Sequence, residues 1–396
     1  MATPSLETLL HRTDSPSQPM IFDLQKKDHR VSVGDLFDRH EIKNVSDDYE
    51  EQLSELFAVN HPSEVYQPGF SEKTAEFIEK AKRSSPLWQQ GRWVFYPWHA
   101  AIVHILEDAN FQKVRMARNR NLINGEEQKT FYNAVIGIGG LSVGNSVALA
   151  IVLQGGGKHI RLADFDRLAL SNINRVRAGT ESLGVRKVEV TARQIYEMNP
   201  YANVEIIPEG LIEDNLDRFI AGPPKLDVII DELDNIAIKY LIREKAKQYS
   251  IPVVMAADNG DNAVVDVERY DLDRNLPFFH GRLGDVTYEK LRSLDKFGIG
   301  KTITKHIGPE NITARMQQSL LEMGKTIVSW PQLGGAAWIN GSAVAYCVRK
   351  IVNHQSLEND RALISLDEKL IPDYHSPAAI AERSAIADSF RTMFGL

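Results

Sequence analysis

Six side chains capable of chemistry crowd one bend of the chain. Asp164, Asp166, Ser171, Asn172, Asn174 and Arg175 follow the apolar run HIRLA, and Lys187 comes soon after. A second group, Asp231, Asp234 and Asn235, closes the apolar run VIIDELDN. A third, Gly137-Ile138-Gly139-Gly140-Leu141-Ser142, lies between an apolar run and a helical pattern. Glycines there let the backbone turn with positive φ and approach a phosphate closely. The helix that follows presents free N–H groups and partial positive charge. Asp164, at the end of the next strand, is placed to accept hydrogen bonds from ribose hydroxyls. Gly137, Gly139, Gly140 and Asp164 therefore point to a nucleotide, without separating NAD from ATP.

The polar bend separates them. The glycine loop alone can satisfy a dinucleotide's pyrophosphate. A triphosphate attacked at its α-phosphorus builds charge on the departing pyrophosphate, which fixed cations and donors must meet. Arg175 and Lys187 supply cations; Asn172 and Asn174 supply neutral donors, with Ser171 beside them. Asp234 at a strand end can hold a Mg²⁺ brought by the triphosphate, with Asn235 next to it.

Blander roles compete at several positions. Asp166 can cap a turn, Asn174 can bond local backbone, Lys187 can be a helix-surface lysine and Asp231 a buried structural acid. The tryptophans Trp88, Trp93 and Trp98 read as the core of a small domain or as a contact surface. His280 and Arg282 in FFHGRLG are further pocket candidates, with ordinary hydrogen bonding and a surface guanidinium as the alternatives.

The elements that must position these groups follow from periodicity. From about residue 131, apolar runs alternate with helical patterns: NAVIGIGG, then SVGNSVALAIVLQ; HIRLAD, then RKVEVTARQIYEMN; VEIIPEG and LDVIID, then NIAIKYLIREKAKQYS and IPVVMAA. Strands without polar alternation, separated by helices, predict an α/β fold with a doubly wound, mostly parallel Rossmann-like sheet. Ligands in such sheets sit beyond the strands' C-terminal ends. VVDVERYDL reads as another strand, ARMQQSLLEMGKTI as a helix, and the last thirty residues as a polar tail with a short helix. The predicted domains are 1–110, mixed and without a readable motif, and 111–396, with an irregular insertion at about 276–325. Residues 1 to about 20 are Ser-, Thr- and Pro-rich and read as poorly ordered.

The 396 residues carry a formal net charge of −7 and one cysteine. The acidic balance argues against nonspecific nucleic-acid binding and an anionic membrane surface. No apolar run has membrane-spanning length, and MATPSLETLLHR lacks the pattern of a secretory signal. A cytoplasmic protein is expected. A single cysteine excludes an internal disulfide and a four-thiolate zinc site.

The order D-x-D-x(4)-S-N-x-N-R, G-x-x-K (Gly184 to Lys187) and D-x-x-D-N (Asp231 to Asn235) resembles the ThiF/MoeB-type adenylyltransferases, relatives of the ubiquitin-activating enzymes. The resemblance runs from about 112 to 270 and faintly through WPQLGG. It implies ATP-dependent adenylation of a substrate carboxylate, giving an acyl-adenylate and pyrophosphate. By position, Gly140 would contact nucleotide, Asp164 the ribose, Asn172, Arg175 and Lys187 the phosphates, and Asp234 the metal. Arg115-Met116-Ala117-Arg118-Asn119 is similar to the family's R-Y-x-R-Q segment, whose second arginine reaches into a partner subunit's ATP site. Arg118 in that role implies a homodimer; a solvated basic helix end is the alternative.

The chain departs from many relatives in lacking two C-x-x-C pairs and a catalytic cysteine between 256 and 325. Cys347, in the apolar stretch VAYCVRK, reads as core. The expected reaction thus transfers directly from the adenylate, without an enzyme thioester. GLSVGNSVALA and ADFDRLALSNINRVRAG look like a ThiF subgroup whose longer members carry a nitroreductase-like domain, which implies a substrate other than a ubiquitin-like protein; the carboxylate is expected on a peptide, a small molecule or a small carrier protein. The alternatives are an NAD(P)-dependent oxidoreductase and a nucleotide-binding scaffold without catalysis.

Overall fold

The computed structural model describes residues 16–396, which fall into two compact units. The start of the chain, including MATPSLETLLHR and most of the stretch expected to be poorly ordered, lies outside the described residues. The first unit runs to Gly125 and also takes Tyr196–Tyr201; the second holds Glu126–Ile195 and Ala202–Leu396. The division thus falls beyond the expected residue 110, because the helix Asp108–Arg115 and the turn Ala117–Asn119 belong to the first unit.

The first unit is a four-stranded sheet with helices. Its strands are β1 (Met20–Phe22), β2 (Asn44–Asp47), β3 (Arg92–Tyr96) and β4 (Ala101–Ile105), in the order β1-β3-β4-β2. Phe22, Leu36, Trp93, Phe95 and Ile102 form its core. Trp93 stacks on His104 at 4.4 Å between ring centroids, and Tyr49 stacks on His104 at 4.1 Å. Trp93 is thus a core residue, whereas Trp88 stays 44% exposed.

The second unit carries the doubly wound sheet. Its strands are β5 (Val135–Gly139), β6 (His159–Ala163), β7 (Asn203–Ile207), β8 (Val228–Asp231), β9 (Val253–Asn259), β10 (Asn262–Glu268) and β11 (Arg361–Ile364), in the order β11-β10-β9-β8-β5-β6-β7. The five strands β7-β6-β5-β8-β9 pair in parallel. β10 and β11 extend the sheet antiparallel, β10 as a hairpin from β9. The chain leaves β5 toward β6 on one side and returns to β8 on the other. That reversal opens a crevice beyond the C-terminal ends of β5 and β8.

Two helices cover one face. Val143–Leu153 is buried from Val143 to Val152 and packs against Gly334–Val352. Their close approach needs the small residues of the latter: a Cβ at Gly341 would come 2.7 Å from the Ser146 carbonyl oxygen. A second layer contains Leu216–Ala221 and Ile236–Tyr249, with Phe219, Leu226, Ile229 and Ile242 in its core. Among the described residues no helix is long and apolar enough to cross a membrane.

Two expectations need correction. The stretch 276–325 is largely helical, with Tyr288–Arg292, Lys296–Ile307 and Ala314–Leu321 packing through spaced apolar residues such as Leu291, Ile307 and Leu320. The polar tail holds the 18-residue helix Pro377–Phe394, whose Phe390 is buried in the core around Val264 and Met316, and strand β11 lies just before it. A strand held by only one antiparallel neighbour and a helix with two buried side chains give weak periodic signals.

Candidate active site

The glycine loop begins where β5 ends. Gly140 has φ +86°, and a Cβ there would lie 2.3 Å from the Glu232 carbonyl oxygen. Only glycine lets this loop pass so close to the end of β8. Gly137 and Gly139 sit within β5 itself. A Cβ on Gly137 would meet Leu226 at 2.3 Å, so that glycine serves helix–sheet packing. Of the three, Gly140 lines the crevice.

Asp164 organises the loop from the end of β6. Its carboxylate accepts from the Leu141 N–H and the Asp166 N–H, both at 2.7 Å. Burial pushes its pKa up, opposed chiefly by Lys187. Lys187 opens the helix Lys187–Met198, is buried, and donates to Asp166 at 2.7 Å, with Asp164 at 4.0 Å. Asp166 therefore anchors the lysine as well as ending the turn.

The polar bend divides by side-chain length. Asn172 accepts from the Ala169 N–H at 3.0 Å, and the Ser171 carbonyl accepts from Arg175 at 3.1 Å. Asn174 donates to the Gln332 carbonyl at 2.8 Å and accepts from Arg175 at 2.9 Å. Short polar side chains bond nearby backbone readily; here they shape the bend, and none of the three lines a cavity described below. Arg175 reaches out of it and donates to the Ser142 hydroxyl at 2.7 Å. Burial lowers its pKa, while Asp258 and Asp234 counteract. The WPQLGG segment backs the bend: a Cβ at Gly334 would lie 2.4 Å from the Asn174 carbonyl oxygen.

After β8 the acids have different fates. Asp231 is fully buried and paired with Arg243 at 2.6 Å and Lys239 at 3.2 Å; Arg243 also pairs with Glu268 at 2.7 Å. Asp231 is thus a structural acid. Asn235 caps the helix Ile236–Tyr249, accepting from the Ala237 and Ile238 N–H groups at 3.0 and 3.2 Å, and lines the crevice with that oxygen committed. Asp234 is exposed at the crevice, with no hydrogen bond or ion pair among the described residues.

Two cavities meet here. One, of about 550 Å³, is lined by Gly140, Asp164, Lys187, Asn235, Tyr288 and Arg292, with Phe165 and Leu211 supplying apolar wall. The other, of about 370 Å³, is lined by Arg175, Met255, Asp258, Lys296, His306 and Trp330. Ser142, Glu232, Leu233, Asp234 and Ile299 border both. The helix Tyr288–Arg292 walls the larger chamber and Lys296–Ile307 borders both, so the stretch read as irregular forms one side of the crevice.

Two acidic groups escaped sequence reasoning. Glu232 accepts from the Ala256 N–H at 3.0 Å, and burial holds its pKa well above the usual range, with Lys239 opposing. Asp258, in β9, accepts from Asn340 at 2.6 Å and Gln332 at 3.1 Å. Burial raises it to about 6. A usable signal existed for Asp258, since it sits near the C-terminal end of a parallel strand, at the ligand edge of the sheet.

Other candidates lie elsewhere. His280 bonds the Val267 carbonyl at 2.9 Å, and Arg282 pairs with Asp360. Cys347 is buried on the helix Gly334–Val352, and burial pushes its thiol up to about 11. Arg118 is exposed on the turn Ala117–Asn119 of the first unit.

A Mg²⁺ would find one uncommitted carboxylate, Asp234. Among the described residues no group of three or more His, Cys, Asp or Glu is arranged to hold a metal by itself. Mg²⁺ bound by one carboxylate plus phosphate oxygens and waters is its usual mode, so the residues present fit the ion.

Residues 116–267 match the ThiF family. The uncharacterized protein MT1398 of Mycobacterium tuberculosis (strain CDC 1551 / Oshkosh) is 35% identical over 326 residues, 82% of this chain and 45% of that one. The chain thus spans less than half the length of that relative. The molybdopterin-synthase adenylyltransferase of Haemophilus influenzae is 26% identical over 166 residues, 42% of this chain and 66% of its own. The tRNA threonylcarbamoyladenosine dehydratase of Escherichia coli is 30% identical over 175 residues, 44% and 62%. The chain carries a ThiF-family domain.

Proposed function

We propose, from that ThiF-family domain and the two joined chambers, that the protein is an ATP-dependent adenylyltransferase acting on a substrate carboxylate. The observation that carries this reading is the junction at Ser142 and Asp234, with Arg175 tied to Ser142. ATP fits the larger chamber: the base against Phe165 and Leu211, the ribose near Asp164, the phosphates over Gly140 and the helix N-terminus. The carboxylate enters from the smaller chamber and attacks the α-phosphorus at the junction. The α-phosphorus–oxygen bond to pyrophosphate breaks as the acyl–phosphate bond forms, giving acyl-AMP. Arg175 and Lys187 meet the charge that develops on the pyrophosphate. Asp234 would hold a Mg²⁺, which would supply further charge neutralisation on the phosphates.

Transfer then proceeds from the adenylate directly to an acceptor. The buried thiol of Cys347, raised to about 11, is poorly suited to form a thioester. Arg118 completes the site from a second copy, so the working form is a homodimer.

Exchange of labelled pyrophosphate into Mg-ATP, dependent on added carboxylate, tests the reaction. Exchange abolished by a chelator is the expected result. Calorimetry showing no ATP binding, or NAD binding more tightly than ATP, would overturn it. For the dimer, mixing inactive Arg118→Ala and Arg175→Ala proteins should restore part of the activity; no recovery removes the Arg118 role.

A further inference from the structure

The smaller chamber holds a buried carboxylate that the proposed reaction does not use. Asp258 is 4% exposed and lines the cavity. Both its oxygens are occupied by neutral amide donors, Asn340 and Gln332, and no cation comes within ion-pair distance among the described residues. Buried charges are ordinarily paired, because desolvation is costly without a partner.

The chamber's own cations are engaged or remote. Arg175 spends its Nε and Nη1 donors on Ser142, Ser171 and Asn174 and acts on Asp258 only through space, with no direct ion pair. Lys239 bonds Asp231, and His306 faces Asp266 at 3.0 Å. Lys296 is exposed, at the first turn of its helix. Glu232 adds a second acid to the same wall, and Asp234 a third at the junction. Met255, Ile303 and Trp330 provide apolar surface for the body of a ligand. A volume of about 370 Å³ suits a small molecule.

We propose that this chamber receives a small amino acid, its carboxylate at the Ser142–Asp234 junction and its ammonium group on Asp258. The inference rests on the adenylation reading. The ammonium supplies the direct ionic partner that Asp258 lacks, while the carboxylate lies by Ser142 and its Arg175 partner, facing the α-phosphate. A carrier-protein tail ending in glycine has no cation to offer at that depth.

Pyrophosphate exchange with the full chain and Mg-ATP tests this, using the standard amino acids, β-alanine and 4-aminobutyrate as probes. Each is compared with its des-amino isostere, and with an N-acetylated peptide ending in Gly-Gly. At least one amino acid should exceed its isostere by about 10-fold or more in kcat/KM, the scale of a charged hydrogen bond. Asp258→Asn should shrink that ratio toward one, through KM. An isostere or the peptide performing as well as the amino acids, or a ratio untouched by Asp258→Asn, overturns the inference. Exchange by none of the probes while ATP binds calorimetrically also overturns it, and leaves the nucleotide reading standing. Failure of ATP to bind sinks the adenylation reading instead. The wild-type comparison decides the matter even if the variant does not fold.

Discussion

The Arg175 guanidinium donates to the Ser142 hydroxyl across 2.7 Å, joining the bend after β6 to the glycine loop after β5. One cation of the smaller chamber is thereby fixed on a serine that borders both. Arg175→Ala should lower pyrophosphate exchange by about 10²-fold, the scale for one transition-state donor. Ser142→Ala, which releases the arginine and removes one hydroxyl from the junction, should cost about 10-fold. Steady-state kinetics checks both; equal losses would deny the serine its positioning role.

Gly140→Ala should damage both fold and site. The left-handed backbone alone costs about 1–2 kcal/mol with a Cβ, and the Cβ would lie 2.3 Å from the Glu232 carbonyl oxygen. Denaturant unfolding should show the stability loss, and calorimetry an ATP affinity weakened by about 10-fold or more.

Asp231 and Asp234 should separate cleanly. Arg243→Met leaves Asp231 and Glu268 without their shared cation and should destabilise by about 3–5 kcal/mol. Asp234→Asn, at an exposed position, should change stability by less than about 0.5 kcal/mol. It should nevertheless raise the Mg²⁺ concentration needed for exchange, as a Mg²⁺ titration would show.

Asp258 should write a slope into the pH dependence of stability. Its acid is raised from the ordinary 3.8 to about 6 by burial. Between those values the folded state holds a proton that the unfolded state has released. Stability therefore falls as pH rises from about 4 to about 6, by up to about 3 kcal/mol, and levels off above. Asp258→Asn should lack this slope in denaturant titrations across that range.

Cys347→Ala should leave carboxylate-dependent exchange and overall transfer intact, with a stability loss of about 1 kcal/mol from the buried sulfur. Loss of transfer with exchange retained would point to a thioester after all.

The sheet was legible because its strands are buried on both faces. HIRLA and VVMAA carry that fact in their composition, and the helices between them in their period. The wall at 288–307 was hard to read because short helices bury few residues each, leaving little periodicity to detect. Asn172 and Asn174 illustrate a different limit. Residue type marks them as ligand donors, yet Asn172 accepts from the nearby Ala169 N–H and Asn174 donates to the Gln332 carbonyl of a distant segment.

By itself the sequence determined the doubly wound sheet, the glycine turn and the family of chemistry, since these rest on local pattern and spacing. Tertiary structure alone decided which acid became structural and which stayed free. Asp231 and Asp234 are three residues apart, but β8 ends at Asp231, which is turned onto Arg243, and the irregular segment beyond carries Asp234 to the crevice. It also decided that Asp258 would face a cavity with neutral partners. The charge state and purpose of a carboxylate follow from what is packed around it, and that neighbourhood is assembled from segments far apart in the chain.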